Sequence, residues 1–141
     1  MTSTTLPFRA LLLSLLSLMT IMRAAPLYAA TDVRGRWSGT LSSNHSGVAP
    51  FTITVAIDAD SRGHIVGSST LNSQCLKGAR LEVTVTGSTV VLAGSDKAGN
   101  NMTLRGSLDN TGTLLKSAYI LNGSATGGCE TDDGTGTLTK R

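Results

Sequence analysis

The sequence has few of the side chains on which catalysis usually depends. Beyond residue 30 the aromatic residues are only Trp37, Phe51 and Tyr119, and the only histidines of the chain are His45 and His64. A catalytic site needs a nucleophile, a base and an orienting group that can meet. With so little histidine and so little clustering of polar side chains, we interpret the protein as non-catalytic.

A strong excess of positive charge is also missing. The chain has 12 Lys and Arg against 9 Asp and Glu. Arg9 and Arg23 lie within the first 30 residues, which leaves ten cations against nine anions in the remainder. The cations are scattered singly, whereas nucleic acid or an anionic membrane surface needs a basic stripe. The sequence therefore predicts no nucleic-acid partner.

The one long apolar run of the chain lies near its start. Residues 11–22 are mostly apolar, and the small-residue stretch 24–30 follows before the polar Thr31 and Asp32. A membrane span needs about 20 apolar residues, so this order predicts a signal peptide over residues 1–30. A retained N-terminal anchor is the alternative. We expect one domain over residues 31–141, secreted or periplasmic, with no stable membrane anchor.

Cysteine is scarce too, with only Cys75 and Cys129. In an oxidising compartment an even pair predicts one disulfide, which here closes a loop of 54 residues. A redox or metal site would need a C-x-x-C motif or a nearby His, and neither is present. We therefore predict a structural disulfide, no metal site and no cofactor.

Alternation of apolar and polar residues is the dominant pattern. In residues 51–57, Phe51, Ile53, Val55 and Ile57 share one face, as a strand's two-residue period requires. No segment has a helical period. Similar patterns predict eight strands, at residues 37–41, 51–57, 64–71, 80–86, 89–93, 102–108, 114–121 and 135–140, with Cys75 in the loop 72–78.

Short polar connections favour an antiparallel meander, because parallel pairing needs long crossovers. Closure into a barrel removes the exposed edges, and glycines inside strands, such as Gly39, Gly67, Gly106 and Gly136, often mark a barrel's corners or bulges. The predicted fold class is all-β: an eight-stranded antiparallel up-and-down barrel closed by one disulfide, with a two-sheet sandwich as the alternative. The predicted core consists of Trp37, Leu41, Phe51, Ile53, Val55, Ile57, Ile65, Leu81, Val83, Val85, Leu104 and Leu108.

The order of the strands predicts one tight end and one loop-rich end. In a meander alternate loops share an end, so loops 42–49, 72–78 and 95–100 lie with the loop that carries Cys129. Ligand sites of small barrels lie at the mouth. We therefore predict a ligand- or partner-binding site at the loop-rich end, and its candidate residues are Asn44, His45, Lys77, Lys97 and Glu130. The carboxylates of Glu130, Asp132 and Asp133 are interpreted as a solvated acidic face.

The segment Gly35-Arg36-Trp37-Ser38-Gly39-Thr40-Leu41, with its G-x-W motif, resembles the first strand of calycin proteins. That group of small exported barrels includes lipocalins, avidin-like proteins and bacterial metalloprotease inhibitors. Avidin-like proteins surround their ligand with several Trp residues, so biotin binding is not implied for a chain with one. We interpret Trp37 as a plug of the barrel floor, with a ligand contact as the alternative. The inhibitors insert their N-terminal segment into the enzyme, and residues 31–34 would take that part here.

Two functions follow as expectations. The first is a binding protein that holds a small-molecule ligand at the mouth of the barrel. The alternative is a module that binds an exported protein, such as an inhibitor of a secreted hydrolase.

Overall fold

The computed structural model describes residues 31–71 and 75–141, so the predicted signal peptide lies outside the described residues. Eight strands follow one another in chain order: β1 (Gly35–Ser43), β2 (Phe51–Ala59), β3 (Ile65–Leu71), β4 (Cys75–Thr86), β5 (Thr89–Ser95), β6 (Asn101–Leu108), β7 (Leu114–Asn122) and β8 (Asp132–Lys140). The described residues contain no helix long and apolar enough to cross a membrane.

The strands form a closed barrel in the order β1 to β8. Each strand pairs antiparallel with the next, and β1 also pairs with β8, so that Ser38 lies between Thr54 of β2 and Thr139 of β8. A sandwich would leave β1 and β8 unpaired with each other. The predicted eight-stranded up-and-down barrel is therefore confirmed, and the sandwich alternative is wrong.

The predicted inward faces form the core. Of the twelve predicted core residues, eight are buried, while Phe51, Ile65, Val83 and Val85 are partly buried and pack against that core. The prediction omitted a further set of buried side chains, which consists of Val33, Leu71, Leu76, Ala79, Val90, Leu92, Met102, Leu115, Tyr119, Leu121 and Leu138. Most of these lie on strands that were predicted, at inward positions of the same two-residue period.

Glycines on the inward face let neighbouring strands approach closely. A Cβ atom at Gly39 would collide with the carbonyl oxygen of Thr137 on β8, and one at Gly94 would collide with that of Arg80 on β4. The pairing register shifts between Ser69 and Leu71, where β3 meets β4, rather than at the predicted glycines. The mid-strand glycines are thus sites of close backbone approach.

Three turns of the barrel share one sequence pattern, Asp-x-x-Gly. In the first, Asp60 Oδ1 accepts hydrogen bonds from the N–H groups of Arg62 and His64, and Gly63 adopts a φ of +81°. The same pattern recurs at residues 96–99 and 109–112. Asp side chains favour such turns because they bond to nearby backbone N–H groups, and Gly supplies the positive φ.

The tight end of the barrel is closed by residues just before β1. Val33 is buried in the core, and its carbonyl oxygen accepts a 2.8 Å hydrogen bond from the indole N–H of Trp37. Lys140 Nζ donates to the carbonyl oxygen of Asp32 and lies 5.9 Å from the centroid of the Trp37 ring. Trp37 therefore lies at the floor of the barrel, and Val33 packs against it.

Cys75 and Cys129 form the predicted disulfide, with their Cα atoms 5.2 Å apart. The placement of Cys75 in a loop was wrong, because β4 begins at Cys75. Leu76 and Gly78 have φ values of +52° and +63°. These irregular residues interrupt the alternation that would have revealed the first part of β4. The disulfide indicates a non-reducing environment.

Candidate functional site

A pocket of about 340 Å³ opens at the loop-rich end, between the loop 44–50 and the loop 123–131. Its apolar wall consists of Val48, Phe51, Leu71, Leu121 and the disulfide. Its polar wall consists of His45, Glu130, Thr131 and Asp132. We call this site the mouth pocket.

An aromatic pair and a buried carboxylate support the floor of the mouth pocket. The rings of Phe51 and Tyr119 meet edge to face, with centroids 5.6 Å apart. The Tyr119 hydroxyl donates a 2.6 Å hydrogen bond to Asp132 Oδ2, and the Ser43 hydroxyl donates one of the same length to Asp132 Oδ1. Asp132 is only 9% exposed, so the interpretation of this residue as part of a solvated face was wrong.

Asp132 is ionised despite its burial. Burial raises the pKa of its carboxyl, but the hydrogen bonds from Ser43, Tyr119 and the Asp133 backbone outweigh that effect and hold the pKa below its usual value. Burial and the bond to Asp132 raise the pKa of Tyr119 well above its usual value. A fixed negative charge therefore lies in the polar wall of the mouth pocket.

Asp133 fastens the loop 44–50 to the start of β8. Its Oδ2 accepts a 2.8 Å hydrogen bond from the Asn44 side chain, and its Oδ1 lies 2.8 Å from His45 Nε2. The backbone N–H of Asn44 also donates to the Asp133 carbonyl oxygen. The bonds from Asn44 and His45 lower the pKa of Asp133. This aspartate positions His45 at the rim of the mouth pocket.

The structure separates the five predicted binding residues into two groups. His45 and Glu130 line the mouth pocket, whereas Asn44 lies outside its lining and shares with His45 a bond to Asp133. Lys77 and Lys97 instead line a separate groove on the outside of the barrel, together with Arg80. The order of the strands correctly predicted that the loops with these residues lie at one end of the barrel, but it did not predict their positions around the circumference.

Two side chains of the site were missed as binding candidates. Tyr119 and Asp132 meet because Leu121 of β7 pairs with Asp132 of β8. The sequence signal for the burial of Asp132 is its spacing. Asp132 lies two residues before Gly134 and four before Gly136, and therefore on the same inward face of β8.

The arrangement does not form a Ser–His pair. The Ser43 hydroxyl donates to Asp132 and accepts from the His45 backbone N–H, while Nε2 of the His45 ring bonds to Asp133. A Ser–His pair would need the hydroxyl to bond to the imidazole itself. Within residues 31–71 and 75–141, no three His, Cys, Asp or Glu side chains are grouped as a metal ion would need.

These features define a class: a small, disulfide-closed, eight-stranded antiparallel barrel with a pocket at its loop-rich end. This architecture is consistent with a calycin-like fold. Comparisons with protein-family models, with curated proteins and with solved structures gave no match.

We expect the protein to lose stability at acid pH because of six aspartates. Hydrogen bonds or ion pairs lower the pKa of Asp32, Asp60, Asp96, Asp109, Asp132 and Asp133. Below a pH of about 4 the unfolded chain therefore binds more protons than the folded chain, so the free energy of unfolding decreases as the pH is lowered. We expect the free energy of unfolding in urea to be constant above a pH of about 5 and lower at about pH 3.

The matched variant for this measurement is Asp109→Asn, which keeps the shape of the side chain and removes one of the six carboxylates. Its unfolding free energy should fall less steeply between the same two pH values. An unfolding free energy that is equal or higher at the acid value in the wild-type protein would contradict the prediction.

Proposed function

We propose that the protein is an exported, non-catalytic binding protein of calycin type that holds a small ligand in the mouth pocket. The observation that carries this proposal is the pocket of about 340 Å³, which is lined by both apolar and polar side chains. Ligand sites usually combine a mostly apolar cavity with a few placed polar groups.

The volume limits the size of the ligand. Ligand pockets span roughly 300–1,000 Å³, and this one is at the lower end. Further down the barrel, Leu41, Ile53, Leu104 and Leu138 have no exposed surface. The ligand would therefore occupy the mouth alone.

The two walls define the chemistry of the ligand. Phe51, Leu71 and Leu121 would pack against an apolar part. Asp132 and Glu130 would favour a polar group that donates hydrogen bonds, because carboxylates accept only. A small amphipathic molecule with a donor group fits both walls.

The proposed export and lack of catalysis have separate support. A disulfide persists in secreted and periplasmic proteins, since the cytosol keeps thiols reduced. The hydroxyl of Ser43 bonds to Asp132 rather than to an imidazole base. The barrel would act by holding its ligand unchanged.

The alternative is a protein-binding module, such as an inhibitor of a secreted hydrolase, that acts through its loops or its N-terminal segment; the geometry gives no support to insertion of the N-terminal segment. Asp32 and Arg34 form an ion pair, and Val33 is buried against Trp37. Insertion of this segment would first have to expose Val33. A protein partner is retained as an outcome of the test below.

The test is native mass spectrometry of protein purified from the exported fraction of its own host. Val48→Trp would place a large ring at the rim of the mouth pocket, where Val48 is 44% exposed. Ile120→Trp is the matched control, because Ile120 is 56% exposed on the outer face of β7. Both changes leave the buried core untouched.

We expect a small mass in excess of the mature chain for the wild-type protein and the Ile120→Trp variant. This excess should be lost on denaturation and reduced in the Val48→Trp variant. A bare mature mass in the wild-type protein, or equal occupancy in both variants, would refute the mouth pocket as the site. A bound mass of protein size would instead establish the alternative.

A further inference from the structure

A second concave surface at the loop-rich end carries positive charge. This groove of about 680 Å³ is lined by Lys77, Gly78, Arg80, Ser95, Asp96, Lys97, Ala98 and Gly127. It shares no lining residue with the mouth pocket. We call it the cationic groove.

Three of the ten cations beyond residue 30 therefore lie in one groove. All three side chains, Lys77, Arg80 and Lys97, are exposed. None of the ion pairs found among the described residues involves them, although the charge of Arg80 also acts on the Asp60 carboxylate. Elsewhere in the barrel a cation such as Arg34 is paired with a neighbouring carboxylate.

The one carboxylate that lines the cationic groove, Asp96, is already hydrogen-bonded within its own turn. Asp96 Oδ1 accepts hydrogen bonds from the N–H groups of Ala98 and Asn100, and its Oδ2 accepts one of 2.7 Å from the Asn100 side chain. Asp96 thereby holds the turn 96–99 in shape. It lowers the positive potential of the groove without forming an ion pair with the lysines.

The walls of the cationic groove are fixed by buried contacts. Asn100 is fully buried; its side chain donates to the Gly127 carbonyl oxygen and accepts from the Ser124 N–H. These bonds connect the turn 96–99 to the loop 123–131, which the disulfide connects to β4. A pre-formed wall lowers the cost of ordering the site when a ligand binds.

From these contacts we infer that the cationic groove binds a small oxyanion with two negative charges, a phosphate or sulfate group. Such a group accepts several charge-assisted hydrogen bonds at once, and the guanidinium of Arg80 suits bidentate contact. The lysines add two mobile donors, and the Ser95 hydroxyl adds another. This inference does not depend on the ligand of the mouth pocket.

The experiment is a titration of the ¹⁵N-labelled wild-type protein with inorganic phosphate and with inorganic sulfate, followed by the backbone amide resonances. Sodium chloride keeps the ionic strength constant and serves as the ion control. The test variant is Lys77→Gln with Lys97→Gln. Lys116→Gln is the matched control, because Lys116 is an exposed lysine on the outer face of β7.

We expect saturable shifts at the amides of Lys77, Gly78, Lys97 and Ala98 in the wild-type protein and in the Lys116→Gln variant. In the double variant the affinity should fall about tenfold or more, because two charge-assisted donors are lost. The variant Lys77→Arg with Lys97→Arg keeps both charges and should retain binding. Shifts that do not saturate, that centre on other residues, or that persist unchanged in the double Gln variant would overturn the inference.

Discussion

Replacing both Cys75 and Cys129 with serine is expected to lower the free energy of unfolding by about 4 kcal/mol. The disulfide spans a sequence separation of 54 residues, and cross-linking a long loop removes much of the conformational entropy of the unfolded chain. A domain of this size has a total stability of roughly 5–15 kcal/mol. The loss is therefore a large part of the whole.

Urea unfolding of the wild-type protein and of the double Ser variant measures this effect. Reduction of the wild-type disulfide is the control, because it should produce the same loss without any substitution. The slope of the unfolding free energy against urea should rise in the variant, since its unfolded state is less compact. A loss below about 1 kcal/mol would show that loop closure contributes little here.

Much of the barrel is readable from the sequence because inward and outward residues alternate. In β2, Ile53, Val55 and Ile57 are buried and the residues between them are exposed. The two-residue connection at Gly87 and Ser88 lies between β4 and β5, as the predicted strands 80–86 and 89–93 require. Counting strands then placed both cysteines at one end, and the disulfide confirms that count.

The pattern failed where this alternation is interrupted. At the start of β4, Cys75 and Leu76 are both buried although they are adjacent, because Leu76 has a positive φ. At the start of β8 the inward positions are Asp132 and Gly134, which give no apolar signal. Both strands were therefore predicted too short.

The candidate site was only partly predictable for a related reason. The order of the strands determines the end of the barrel at which a loop lies, but not its position around the circumference. His45 and Glu130 thus share the mouth pocket, whereas Lys77 and Lys97 lie in the cationic groove. The contact between Tyr119 and Asp132 depends on the pairing register of β7 and β8, which composition does not reveal.

The substitution Asn100→Asp is expected to destabilise the protein by about 3–5 kcal/mol at neutral pH, because it leaves a buried charge without a partner. Asn100 Nδ2 donates to Asp96 Oδ2 at 2.7 Å and to the Gly127 carbonyl oxygen at 2.8 Å. In the Asp variant a carboxylate oxygen would replace Nδ2 and would face two acceptors, the charged Asp96 carboxylate and the Gly127 carbonyl oxygen. Its pKa should rise in the folded state, so the variant loses stability as pH rises through that pKa.

The control is Asn100→Ala, which removes the same hydrogen bonds without adding a charge and should cost about 3 kcal/mol, from the unpaired groups and the cavity that it leaves. Urea unfolding at about pH 7 and about pH 5 separates the two variants. The Asp variant should recover part of its stability at the lower pH, because a protonated carboxyl again donates to Asp96, whereas the Ala variant should not.

Equal losses at both pH values for the Asp variant would mean that the loop 123–131 moves away from Asp96 rather than holding the new carboxyl against it. In that case Asn100 would not be what fixes the wall of the cationic groove.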